Sequence, residues 1–173
     1  MNYFELYDLP VQFKLDPSAL KLRYIELSKR LHPDLHTLSS PENQLYMLEQ
    51  STKNNKAYGT LKDDLERTRY ILQLHNLIED EEQFNMPATF LGEVMDLNET
   101  VAEIQLDNDQ TKRNKALIAI ERIVESMFQD IAPFMDAFDR GEDKDENLQK
   151  IKEYYFKMKY MNRLKENIDK LAD

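Results

Sequence analysis

Residues 16–34 read DPSALKLRYIELSKRLHPD, and this stretch decides the fold. Asp16 suits an N-cap, and Pro17 suits a first turn, where its missing N–H costs nothing and its fixed φ is already helical. Leu20, Tyr24, Leu27 and Leu31 then recur at steps of four, three and four, which places them on one buried face of a helix. Pro33 disfavours helical geometry at His32 and donates no backbone hydrogen bond, so the helix should stop near Leu31. The spacing predicts a loop from His32 to Ser40. Pro33 stiffens it, while His32 and Asp34 project polar groups beyond the helix packing.

Outward from this turn the pattern stays helical. Tyr3, Phe4 and Leu6 give a short helix over residues 2–8 before Pro10 interrupts. Ser40-Pro41 repeats the cap-and-proline start, opening a helix with Leu45, Leu48, Thr52 and Asn55 that reaches Ala57-Tyr58, with Gly59 as its expected end. Another helix spans residues 62–75 around Leu65, Ile71, Leu72 and His75. His75, near that helix end, is expected to cap carbonyls. Residues 76–86 are acidic and aperiodic, and read as a linker between a domain at 1–75 and a domain at 87–173.

The second domain carries three apolar seams. From Pro87, Phe90, Val94, Leu97, Val101 and Ile104 predict one helix. Leu117, Ile120, Val124, Met127, Ile131, Phe134 and Phe138 form a second seam over 110–138, with Pro133 expected to kink its last turn. After a polar turn at 139–145, Leu148, Ile151, Tyr155, Met158, Leu164, Ile168 and Leu171 form the third, with a phase shift near Met161. The same spacing serves an intermolecular coiled coil, but short connections and the Gly141 turn favour an antiparallel three-helix bundle within the chain. With three glycines in 173 residues, the chain reads as all-α.

Composition narrows the chemistry. A net charge of −10 without a polybasic tract disfavours nucleic-acid binding, which needs clustered cations against phosphates. The absence of cysteine removes disulfides, thiolate metal sites and a cysteine nucleophile. No run approaches membrane-spanning length and the N-terminus has no basic segment followed by an apolar stretch, so a soluble, cytoplasmic protein with no membrane partner is expected. The enzyme alternative is a metal hydrolase built on His32, Asp34 and His36. Pro33 prevents the two histidines from sharing a helix face and no third well-spaced ligand follows. The expectation is therefore no enzyme, no metal and no cofactor.

The order of features around the turn is more specific than the tripeptide. His32-Pro33-Asp34 follows a helix bearing Lys21, Arg23, Lys29 and Arg30, and precedes one containing Asn55, Ala57, Tyr58, Leu61, Arg67 and Tyr70. This set resembles J-domain proteins. Tyr3-Phe4, Leu9-Pro10, Leu15-Asp16, Ala19-Leu20, Leu22-Arg23 and Leu27, continued by Leu72, Leu74 and His75, resemble the HscB branch. The resemblance implies a J-domain followed by a helical bundle in an L-shaped arrangement. It also implies docking to a DnaK/HscA-type ATPase chaperone through Lys21, Arg23, Lys29, Arg30, His32, Pro33 and Asp34, and delivery of an IscU-type iron–sulfur scaffold. Where many J-domains have a second basic residue after the helix tyrosine, Tyr24 is followed by Ile25-Glu26.

A second surface stands out on the helix after Pro87. Leu91 and Met95 lie off the main seam and align with Glu99 and Glu103, with Asp96 adjacent. Periodicity alone leaves two readings open, a partner surface or packing against the first domain. The HscB resemblance implies the first, adding Phe156, an aromatic of the last helix beside the Ile151-Tyr155-Met158 seam; that position suits partial exposure, and equally suits a core widened by Tyr154, Phe156 and Tyr160. Gly92 departs from the family stripe, which often has a larger apolar residue there. Residues 79–107 hold nine acids and no Lys or Arg, whereas residues 14–34 hold five bases against three acids. A J-domain adaptor for a different client is the non-enzymatic alternative.

Overall fold

The computed structural model describes residues 1–35, 39–79, 82–142 and 144–170, with only the backbone of Pro33 and Lys144. His36 and Leu171 lie outside these residues. Every regular element among the described residues is helical, and none is long and apolar enough to cross a membrane. The chain divides into two compact units, Met1–His75 and Asn76–Asp173.

The first unit comprises α1 (Tyr3–Leu6), α2 (Pro17–Arg30), a 3₁₀ turn (Pro33–Leu35), α3 (Pro41–Lys62) and α4 (Asp64–Leu74). The caps read from sequence are in place. The Asp16 side chain accepts from the Ser18 N–H at 2.9 Å and Ser40 Oγ accepts from the Asn43 N–H at 3.3 Å. Tyr24 of α2 stacks on Tyr58 of α3 at 4.1 Å and donates to Asn55 Oδ1 at 3.1 Å, while Ser28 meets Asn54 at 2.8 Å, so α2 and α3 run antiparallel. Phe4, Leu20, Ala57, Leu61, Ile71 and Leu72 are buried between the helices.

Three details differ from the sequence reading. The segment after Leu31 is not all loop, because Leu35 N–H bonds the His32 carbonyl at 3.0 Å and closes a 3₁₀ turn. Gly59 does not end α3, which continues to Lys62. Asp63 separates the helices with extended backbone while its side chain accepts from the Leu65 and Glu66 N–H groups. The inward polar residue of α3 is Asn54, whereas Leu45, Leu48, Thr52 and Asn55 are exposed.

The second unit holds α5 (Ala88–Glu93), α6 (Met95–Asp107), α7 (Gln110–Asp139) and α8 (Lys144–Lys170). The helix expected from Pro87 is broken at Val94, next to Gly92, the weakest helix former in the segment. The seam survives the break, since Phe90, Val94, Leu97, Val101 and Ile104 are all buried. They pack with Ala116 and Ile120 of α7 and with Met161, Leu164 and Ile168 of α8. α7 passes through Pro133 and ends at Asp139, with Arg140 as its C-cap and Gly141 following at a φ of 84°, which suits glycine. Gly141 N–H bonds the Phe138 carbonyl and Glu142 N–H bonds the Ala137 carbonyl, a Schellman pair that reverses the chain into α8. Asn98 of α6 exchanges hydrogen bonds with the Tyr160 hydroxyl of α8 at 2.8 and 3.0 Å. α6, α7 and α8 thus form the three-helix bundle.

Candidate functional site

The His32-Pro33-Asp34 turn is fixed from both sides. The Leu31 N–H caps α2 by bonding the Leu27 carbonyl, and the Leu35 N–H closes the 3₁₀ turn on His32, both at 3.0 Å. The Asp34 N–H lies 3.3 Å from His32 Nδ1, which accepts when the ring is neutral, and Asp34 Oδ2 is 3.6 Å from the same nitrogen. Both side chains are exposed. The backbone is therefore held while the polar ends stay available to a partner, an arrangement that limits the entropy lost on docking.

Lys21, Arg23, Lys29 and Arg30 are all exposed on α2, but not along one narrow stripe. Arg23 and Arg30 are seven residues apart and align two turns from each other, whereas Lys21 and Lys29 lie further round the helix. Arg23 is 3.5 Å from Glu26, a half-exposed pair of little energetic weight. Arg23 and Arg30 flank the buried Leu20 stripe on one side, Lys21 flanks it on the other, and Lys29 stands opposite it. They give α2 a broad positive surface rather than a single cationic stripe.

Two buried polar groups hold this unit together, and apolar periodicity does not reveal either role. Asn54 receives the Tyr7 hydroxyl at 2.8 Å and donates to the Tyr24 carbonyl at 3.3 Å and Ser28 Oγ at 2.8 Å. Arg67 Nε donates to the Phe13 carbonyl at 2.8 Å and Nη1 to the Leu61 carbonyl at 2.6 Å, and the guanidinium also meets Asp64. The two residues tie the segment before α2, the middle of α3 and the start of α4 into one frame.

On the second unit, Leu91 and Met95 are 44% and 57% exposed, and Asp96, Glu99 and Glu103 are exposed beside them. Leu91 lies on α5, and Met95, Asp96, Glu99 and Glu103 lie on α6. Gly92 is exposed, with open space where a Cβ would stand. Glu103 is engaged by Lys112 at 2.9 Å, and the same ammonium meets Asp107 at 2.6 Å. These hydrogen bonds hold the Asp107 carboxyl below its ordinary range and the Lys112 ammonium above its own. One predicted carboxylate is therefore already balanced within the unit.

Of the two positions open to Phe156, partly exposed or in the core, it takes the second. It is only 6% exposed, with Phe84 stacked on it at 4.5 Å and 2° between ring planes. The segment carrying Phe84 is anchored by Lys152, which donates to the Leu77 carbonyl and to Glu82 at 2.6 Å each. That bond draws the Glu82 carboxyl below its usual range. The apolar content of residues 84–86 was the available signal, hidden by the acidic residues before it. Among the described residues, no three of His, Cys, Asp or Glu come together as a metal site.

Residues 86–169 match the family model described as the HSCB C-terminal oligomerisation domain. The co-chaperone protein HscB homolog of Vibrio cholerae serotype O1 is 38% identical over 128 residues, covering 73% of each chain. That of Vibrio vulnificus is 37% identical over 130 residues, covering 75% of this chain and 74% of the other. Among solved structures, human co-chaperone protein HscB aligns with a TM-score of 0.77 and 30% identity over 98% of this chain and 81% of that one. Chaperone HscB from Vibrio cholerae aligns at 0.68 and 29%, over 100% and 98%.

Proposed function

The chain belongs to the HscB family of co-chaperones, and from that premise we propose that it serves iron–sulfur cluster assembly by stimulating ATP hydrolysis on a DnaK/HscA-type chaperone and delivering an IscU-type scaffold to it. The observation that carries the first half is the His32-Asp34 turn, with its backbone held by hydrogen bonds and its side chains exposed at the end of a cationic helix. No reacting group need come from this chain. Asp34 offers a carboxylate for charge-assisted bonds to a partner arginine, and the α2 cations favour encounter with an acidic surface. Hydrolysis accelerates on the partner to the extent that this surface binds the hydrolysis-competent state more tightly than the resting one.

For scaffold delivery, the proposed surface is Leu91, Met95, Asp96, Glu99 and Glu103, with Phe156 acting beneath Phe84. Residues 1–75 contain ten bases and ten acids, and residues 76–173 contain thirteen bases and twenty-three acids, so the whole net charge of −10 resides in the second unit. A client with a basic rim around an apolar contact suits that balance. The buried Phe156 and the open space at Gly92 favour a second reading, a J-domain adaptor whose client is a different protein.

The deciding experiment is single-turnover ATP hydrolysis by co-occurring DnaK-type chaperones with the wild type and with His32→Gln. Stimulation by the wild type that His32→Gln loses, with its helical signal intact, is the expected result. Equal stimulation by both would remove the turn from the mechanism. Capture of an IscU-type scaffold by the wild type separates the two client readings.

A further inference from the structure

The apolar side chains at the start of α3 are not used by the first unit's core. Leu45 and Leu48 are 58% and 56% exposed, one turn apart on α3, and Leu35 in the 3₁₀ turn is 68% exposed. Leu48 precedes Asn55 by seven residues and so shares its face, the one on which Asn55 accepts the Tyr24 hydroxyl of α2. The partnership with α2 ends first. Ser28 meets Asn54, after which α2 has only two more residues, while α3 extends back from Asn54 to Pro41, about 20 Å at the helical rise. The first turns of α3 therefore overhang the end of α2, and the 3₁₀ turn containing Asp34 packs against α3 there. Leu35, which follows Asp34 in that turn, and Leu45 and Leu48 on the overhanging turns give an apolar ledge carried by two contacting elements.

We propose that this ledge is an apolar extension of the ATPase-docking surface, and that its occupant is an apolar step on the same chaperone that receives the turn. This inference rests on the proposed docking role. Three leucines expose far less than the ~800 Å² per partner of a stable independent interface, so the ledge functions as part of a larger contact. The surface continuous with it is the turn and α2, because Leu35 belongs to both. Lys29 and Arg30 close α2 at the inner end of the ledge, whereas the charged residues of α3 within one turn of Leu45 are Glu42 and Glu49. A second copy of the chain would bury little beyond these three leucines, well short of a stable dimer. An acidic surface with an apolar step meets both features. The ledge supplies what the cations do not, since exposed charges steer encounter while a desolvated leucine slows dissociation.

The test compares full-length wild type, Leu45→Ser/Leu48→Ser, Leu45→Met/Leu48→Met and His32→Gln in single-turnover ATP hydrolysis, titrating each against the chaperone. The three substituted side chains, Leu45, Leu48 and His32, are exposed, and the thermal midpoint checks folding. The serine pair is expected to raise the half-maximal concentration about tenfold while keeping the plateau, as loss of two partly buried leucines at an interface implies. The methionine pair is expected to stay near wild type. A serine pair indistinguishable from wild type, beside an inactive His32→Gln, overturns the ledge and leaves the docking role standing. A wild type that stimulates no chaperone overturns both. A wild type that sediments as a dimer and becomes monomeric in the serine pair assigns the ledge to a second copy and overturns the proposal.

Discussion

Replacing Arg67 with methionine should destabilise the first unit by about 2–5 kcal/mol, with little direct effect on any binding surface. Arg67 is buried, and its Nε and Nη1 donate to the carbonyls of Phe13 and Leu61 at 2.8 and 2.6 Å. Methionine keeps most of the stem volume and removes both donors, leaving two shielded acceptors; each costs roughly 1–3 kcal/mol when left unsatisfied. The ion pair with Asp64 adds little, because that carboxylate is 92% exposed. A unit of this size has about 4–11 kcal/mol of stability in total, so the loss is a large fraction of it. Urea unfolding followed by hydrogen exchange and mass spectrometry reads the effect, since exchange assigns it to peptides of residues 1–75 and leaves α7 and α8 as internal references. Stimulation per folded molecule should be unchanged, and Arg67→Lys should recover part of the loss by reaching one carbonyl. A destabilisation below about 0.5 kcal/mol would refute the reasoning, because it would mean that water replaces the guanidinium at both carbonyls.

Gly59→Ala should stabilise the first unit by about 0.5–1 kcal/mol, because α3 runs through this position with open space for a Cβ; a lower thermal midpoint would count against a continuous α3. Burial, reinforced by Tyr24 and Tyr58, raises the Tyr7 hydroxyl above its ordinary value of 10.0. Its contribution to stability is therefore complete below pH 10 and is lost as the pH rises above it, where the unfolded chain ionises first. Tyr7→Phe should flatten that alkaline loss while lowering stability at neutral pH, as pH-dependent unfolding would register. On the second unit, Leu91→Ala and Met95→Ala should each weaken capture of an IscU-type scaffold by about tenfold without changing ATPase stimulation measured in its absence. Unchanged affinity in both variants would remove this face from scaffold binding. Phe156→Ala should instead loosen the Phe84 segment and lower stability, which faster exchange at residues 82–86 would reveal.

The helices were legible because each start is written in a single residue and each core in a spacing. Asp16-Pro17 and Ser40-Pro41 cap as expected, and the Phe90-to-Ile104 seam is buried throughout. Its break at Val94 was not legible, since an apolar period survives a local change of backbone that keeps the same side chains inward. Gly59 misled for the opposite reason. Glycine permits a helix end without requiring one, and here Asp63, whose side chain caps α4, sets the boundary. Asn54 went unread, and Arg67 entered only through the resemblance without its structural role, because their partners are backbone carbonyls and hydroxyls contributed by other segments, and no local pattern records those.

The two candidate surfaces were legible to different degrees, and the difference is physical. The His32-Asp34 turn is exposed because a proline ends the helix before it, so its availability follows from chemistry local to the motif. The exposure of Leu91 and Met95 also follows from helical phase. Phe156 depended on something phase cannot supply, namely whether another chain segment covers it, and Phe84 does. The stack is accompanied by Lys152 of α8 holding Leu77 and Glu82, the latter a contact 70 residues long in sequence. If a scaffold is to touch Phe156 itself, it must displace Phe84 and disturb this anchor, whereas the Leu91-Met95 face needs no rearrangement. Docking on that face with Phe84 as the aromatic contact is the arrangement that leaves the second unit's core intact.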